Sequence, residues 1–224
     1  MRTKRLLRVL FVLLGLLFSV VTVAGADPWL TEGFESLPEG WLVINRSEPA
    51  GTTSWRLGSA DTFAAQAGSA GSYMLSSFTV AAPEGGTISN WLISPEIPLN
   101  DILVIGFYTR QALTTYYADR LQVRLSVSGA STDVGTTAES VGVFTHLLLD
   151  INEQMAAGGY PTEWRRYGAF DRLFPPEATG RIAFRHYLPD ANGETNRGLL
   201  VAIDSVSLET HTEILFLPLV INGQ

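Results

Sequence analysis

An all-β fold, a sandwich or jelly roll of antiparallel sheets, is what this sequence predicts, and three observations predict it. Short apolar segments recur along the chain with Gly- and Pro-rich turn signals between them. Two segments near the end, Arg181–Tyr187 and Leu199–Leu208, are apolar on both faces, as interior strands are. No long window carries the 3.6-residue period of an amphipathic helix, and the best helical candidate, Ile151–Ala157, is short.

The chain opens with Arg2, Lys4, Arg5 and Arg8, followed by the apolar run Val9–Val23 and the small residues Ala24-Gly25-Ala26. That is the layout of a signal peptide, with cleavage expected before Asp27; the run is short for a membrane span of about 20 residues. Residues 1–26 therefore lie outside the fold, and 27–208 form one domain. Losing four basic and no acidic residues takes the formal net charge from −7 to −11. An acidic surface without a basic cluster disfavours nucleic acid and anionic membranes as partners. Cysteine is absent, so no disulfide ties the exported domain, and a bound metal ion is the natural cross-link left to it.

The candidate strands, in order, are Leu42–Asn45, Ser54–Leu57, Ser72–Ser76, Thr87–Ile93, Leu103–Arg110, Leu121–Val127, Phe144–Asp150, Trp164–Phe170, Arg181–Tyr187 and Leu199–Leu208. Pro38-Glu39-Gly40, Pro83-Glu84-Gly85-Gly86, Ser94-Pro95, Gly158-Gly159-Tyr160-Pro161 and Pro175-Pro176 punctuate them. Leu121–Val127 alternates cleanly, with Leu121, Val123, Leu125 and Val127 inward and Gln122, Arg124, Ser126 and Ser128 toward water. Ile102–Tyr108 and Phe144–Asp150 read as interior, the second carrying His146 as a hydrogen-bonded core histidine. Residues 209–224 form a short tail whose apolar part, Ile214–Ile221, holds a central proline and is too short to span a bilayer. It is expected to add an edge strand or pack on the domain.

Several motifs, in this order and spacing, resemble choice-of-anchor J domains, extracellular bacterial domains related to the cleaved-adhesin domains. They are Phe34-Glu35-Ser36-Leu37-Pro38-Glu39-Gly40-Trp41, Gly51-Thr52-Thr53-Ser54-Trp55, Thr87-Ile88-Ser89-Asn90-Trp91-Leu92-Ile93-Ser94-Pro95 and Asp119–Ser126. Val134-Gly135-Thr136-Thr137, Leu147–Asn152, Gly159-Tyr160-Pro161, Gly180–Arg185 and Ile203-Asp204-Ser205-Val206 follow. The resemblance covers Glu32 to Leu208. It implies an exported, non-enzymatic jelly-roll β-sandwich and leaves the ligand undefined; the expected location is secreted or cell-surface, and the expected partner an unidentified extracellular glycan or surface protein.

Asp204 is the one carboxylate inside the apolar strand Leu199–Leu208, and a bare buried charge is costly. The resemblance implies that Glu35, at the first motif, and Asp204, at the last, meet and hold a structural calcium ion with backbone carbonyls. The plainer reading gives Asp204 backbone amides or an arginine as partner. Asp190, Asn192 and Glu194 mimic a calcium loop, but Pro189 and the missing downstream glutamate break that pattern, and a solvated loop is expected. Of the aromatics, Tyr116 and Tyr117 lie in the polar stretch Gln111–Asp119 and are the candidate ligand-binding residues; exposed rings stack on sugars or fill protein pockets. Catalysis finds no support in motifs. The three histidines are scattered, with no His-x-x-x-His pair and no Gly-x-Ser-x-Gly elbow. An adhesion or carbohydrate-binding module is the expected function, with a structural surface protein and then a hydrolase as alternatives.

Overall fold

The computed structural model describes residues 28–211, apart from 84, 100, 101, 114, 115, 173, 175, 176 and 192–197. The expected signal peptide, residues 1–26, and residues 212–224 of the tail lie outside the described residues, as do Asn192 and Glu194. The described residues form twelve strands: β1 Leu30–Glu32, β2 Leu42–Asn45, β3 Arg56–Leu57, β4 Met74–Ser77, β5 Ile88–Ile93, β6 Ile97–Pro98, β7 Ile102–Arg110, β8 Leu121–Ser126, β9 His146–Ile151, β10 Arg165–Arg172, β11 Thr179–Leu188 and β12 Leu200–His211. Among the described residues the only helical element is the single 3-10 turn Phe78–Val80. The best helical candidate, Ile151–Ala157, is not a helix: Ile151 ends β9, and turns follow in which Asn152 and Met155 adopt positive φ.

Two six-stranded antiparallel sheets face each other. The first runs β10-β7-β12-β4-β3, with β1 pairing the later half of β12. The second runs β2-β5-β11-β8-β9, with β6 pairing β11. The central strands β7, β12 and β11 are the long apolar ones, because only a strand flanked on both edges and covered on both faces can carry apolar residues at consecutive positions. Leu103, Ile105 and Phe107 from β7, Val201, Ile203, Val206 and Leu208 from β12, and Ile182 and Phe184 from β11 meet between the sheets. Phe107 and Phe184 touch edge to face there, with ring centroids 5.0 Å apart.

β12 keeps its apolar residues inward along twelve residues only because it carries a bulge. The pairing with β7 shifts between Asp204 and Ser207. At the shift Ser205 takes a left-handed φ of 51°, and the extra residue puts Val206 and Leu208 back on the core side. Asp204 stabilises that turn itself, accepting the Ser205 N–H on Oδ1 at 2.6 Å.

Loops cover most of the outer faces, which corrects two expectations. Gln122 and Ser126 of β8 are buried rather than facing water. The segment between β8 and β9 folds over them and packs Val134 and Phe144 on Trp91, Ile93 and Ala183. Arg185 of β11 is sealed there too, donating to Ser89 Oγ, Gln122 Oε1 and the Ala138 carbonyl and stacking on Tyr187. The second correction concerns β9. It lies at the edge of its sheet and exposes Leu147, and His146 is not a core residue: it is exposed and sits 3.3 Å from Asp171. Its apolar run misled because an edge strand that contacts the neighbouring sheet needs apolar residues without being enclosed.

Candidate functional site

Glu35 and Asp204 arrive at one loop from opposite ends of the chain. The Gln66 and Ala67 amides donate to Asp204 Oδ2 at 2.8 and 3.3 Å. The Ser69 amide donates to Glu35 Oε1 at 3.0 Å. Ser205 Oγ donates to Gln66 Oε1 at 2.6 Å. Gly68, between them, has φ +74°, and a Cβ there would lie 2.0 Å from Glu35 Oε1, so glycine is what lets the loop close onto the carboxylate. Burial pushes the Asp204 carboxyl above its ordinary value, against the pull of the Ala67 and Gln66 amides. The exposed Glu35 is held below its ordinary value, chiefly by the Ser69 amide.

Backbone amides, one of the two alternatives left open by the sequence, thus compensate the buried charge. Among the described residues no cluster of three or more His, Asp or Glu could hold a metal. The two carboxylates hold one loop at different points, Glu35 at Ser69 and Asp204 at Gln66 and Ala67, with Ser205 Oγ and Gln66 Oε1 beside Asp204.

Tyr116 is 52% exposed and meets Tyr117 edge to face, with centroids 5.2 Å apart; Leu113 beside them is exposed as well. Trp29, just before β1, is exposed too, while three further aromatics near loops are interior. Trp55, Tyr73 and Tyr160 are buried, and Tyr73 stacks on Phe63 under Trp164.

Sequence reasoning missed two features. The first is a chain of fully buried polar groups. Ser76 Oγ lies 2.9 Å from His186 Nδ1, and His186 Nε2 lies 3.4 Å from Asp119 Oδ1. Asn90 Nδ2 donates to the same Ser76 oxygen, and Asp119 accepts the Leu199 amide. The order is that of a hydrolytic Ser-His-Asp set, but all three residues have zero exposure, so no substrate can reach the hydroxyl. Their spacing over 110 residues in strands and loops left no local motif to find.

The second is the outer face of the first sheet. Phe63, Trp164 and Arg110 roof its β3-β4 side, with the Arg110 guanidinium 4.2 Å above the Phe63 ring. Toward β10 that cover stops. There Phe170 is 59% exposed, and Arg166 and Gly168 are exposed beside it. With Val104 they line a hollow of about 240 Å3. Alternation along Arg165–Arg172 could have flagged Phe170, since Tyr167 and Ala169 point to the core and Phe170 must then point away.

With two sheets of this topology, a first strand beside the last and the motif order above, the sequence can be placed. Residues 29–207 match the family described as Cleaved Adhesin Domain. The chain belongs to that family. No curated protein matches it in sequence. Among solved structures, three cleaved adhesin domains of Lys-gingipain from Porphyromonas gingivalis share the fold. The K1 domain superposes with a TM-score of 0.56 at 22% identity, covering 81% of this chain and 98% of that one. The K3 domain gives 0.54 at 20%, covering 81% and 97%. The K2 domain gives 0.52 at 17%, covering 81% and 99%. Such distant identities speak for the cleaved-adhesin fold and not for a shared ligand.

Proposed function

We propose that this cleaved-adhesin domain is a non-catalytic binding module that works outside the cell and engages extracellular glycans or surface proteins through its exterior. The observation that carries this reading is the uncovered outer face of the first sheet toward β10, in a molecule whose outer sheet faces are otherwise mostly covered by loops. A face that buries nothing of its own while presenting an aromatic ring is a recognition surface rather than a stabilising one. The sealed Ser76–His186–Asp119 chain supports a structural role for the one arrangement that resembles a catalytic set. Among the described residues no helix is long and apolar enough to cross a membrane.

Tyr116 and Tyr117 are retained as a second contact, supported by the exposure of Tyr116. A calcium ion held by Glu35 and Asp204 belongs to the same reading as a structural element, supported by the convergence of both carboxylates on residues 66–69. Its chemistry would be to fix that loop against the two chain ends. A glycan array probed with the intact protein tests the function. Saturable binding that falls at least tenfold in Phe170→Ala or Tyr116→Ala is the expected result. Turnover of a polysaccharide or peptide pool by purified protein would sink the non-catalytic reading.

A further inference from the structure

Four residues in register form one row across the open face. Gly168 of β10 pairs with Gly106 of β7, Gly106 with Ser207 of β12, and Ser207 with Thr31 of β1. All four belong to the outward set, since their neighbours Ala169, Phe107, Leu208 and Leu30 pack in the core. Two of the four have no side chain and the others only a small hydroxyl-bearing one. The row is therefore a trough crossing three inter-strand spacings, about 14 Å at the usual strand separation. A second hollow, lined by Thr31, Glu32, Gly33, Ser205, Val206 and Ser207, lies at its far end; the Glu32 carboxylate there accepts the Phe34 amide.

The rows on either side are tall. Phe170 and Val104 pair on one side, Arg166 and Tyr108 on the other. The Arg166 guanidinium leans over the floor: a Cβ on Gly106 would stand 3.2 Å from Arg166 Nη2 and 3.0 Å from Ser207 Oγ. Among the described residues no carboxylate pairs with Arg166. Asp171, its near neighbour on β10, faces His146, and Glu209, in the Val104 row, has an interaction of its own. In a chain of net charge −7, Arg166 thus stands at the mouth of this trough with no paired carboxylate among the described residues.

We propose that this trough binds a short stretch of acidic polysaccharide, one uronate carboxylate pairing with Arg166 while its sugar ring stacks on Phe170. The inference rests on the glycan-binding reading above and adds the class of sugar. Arginine offers a carboxylate two parallel N–H donors. A flat aromatic beside it takes the C–H face of a pyranose ring. Past the Arg166 guanidinium the floor carries only the small side chains of Ser207 and Thr31, whose hydroxyls are there for further units. A neutral glycan would use the ring and the floor but leave Arg166 without its partner.

The test is calorimetric titration of the intact protein with a galacturonic acid trimer and with its fully methyl-esterified, uncharged form. The acid is expected to bind at least tenfold more tightly. Arg166→Gln should bring the acid down to the level of the ester, and Phe170→Ala and Gly106→Val should weaken both, each variant unfolding at the temperature of the parent. Equal binding of acid and ester, with Phe170→Ala still weakening both, overturns the acidic preference and leaves the glycan-binding reading standing. Binding of neither sugar, here and across the glycan array, overturns both. Displacement of the trimer by polyglutamate at equal carboxylate concentration shows a site for acidic polypeptide instead, and overturns the proposal.

Discussion

The amide of Gln66 donates to the carboxylate of Asp204 at 2.8 Å, joining two residues 138 positions apart in the chain. With the Ala67 and Ser205 amides on the same group, this bond holds the loop that roofs β3 and β4 to the bulge of β12. Asp204 has zero exposure, so its hydrogen bonds stand without competition from water.

Asp204→Ala is expected to leave those amides without an acceptor and to cost about 1–3 kcal/mol for the unsatisfied groups. Chemical denaturation of parent and variant measures it. Asp204→Asn, which keeps one acceptor oxygen, should lose less.

The pH dependence follows from the sign of the Asp204 shift. Burial raises its folded pKa above the ordinary 3.8, so the folded state holds the proton more tightly than the unfolded chain. Its contribution to stability is greatest below about pH 4 and declines as pH rises through the raised value. Glu35 works oppositely: its folded pKa lies below the ordinary 4.5, and its contribution is lost as pH falls. Melting curves of Asp204→Asn against the parent, from acid to neutral pH, should show the declining component removed.

Calcium removal is expected to lower the melting temperature if the Glu35–Asp204 pair is loaded as proposed. An ion that binds only the folded state, at a hundredfold excess over its dissociation constant, adds about 2.7 kcal/mol. Chelator should lower the melting temperature, calcium should restore it and magnesium should not, while Glu35→Ala and Asp204→Ala should be indifferent to both. An unchanged curve for the parent would show that the loop amides alone hold Asp204.

Arg185→Lys should destabilise the domain nearly as much as Arg185→Ala. The guanidinium lies 3.7 Å from the Tyr187 ring centroid and 4.7 Å from that of Trp91, and bonds Ser89, Gln122 and Ala138 at once. Burial draws its pKa down to about 9. An ammonium cannot stack or reach three acceptors in a plane, and one lost bond to a charged group is worth about 1.5–3 kcal/mol. Full stability in Arg185→Lys would refute this.

Ser76 should not react with a fluorophosphonate probe in the folded protein. Ser76→Ala should cost stability of about 1–3 kcal/mol, because Asn90 and His186 lose their common partner. Labelling of Ser76 in folded protein would mean that the buried chain opens.

Alternation of apolar residues, turn spacing and the absence of a helical period determined the all-β class and the identity of β7, β11 and β12 as central strands. These are local properties, set by side-chain direction along a strand. The sequence also marked Asp204, since a carboxylate amid Ala202, Ile203 and Val206 is conspicuous on any reading. What it could not supply was which groups would meet it. The Gln66 amide carries no side-chain signal, and the bond depends on a loop closing across the sheet. Tertiary structure alone decided that β9 lies at an edge, that a loop buries Gln122, and that Ser76, His186 and Asp119 share one interior. It alone decided the trough as well. Gly168, Gly106, Ser207 and Thr31 stand far apart in the chain, and only strand register brings them into a single row.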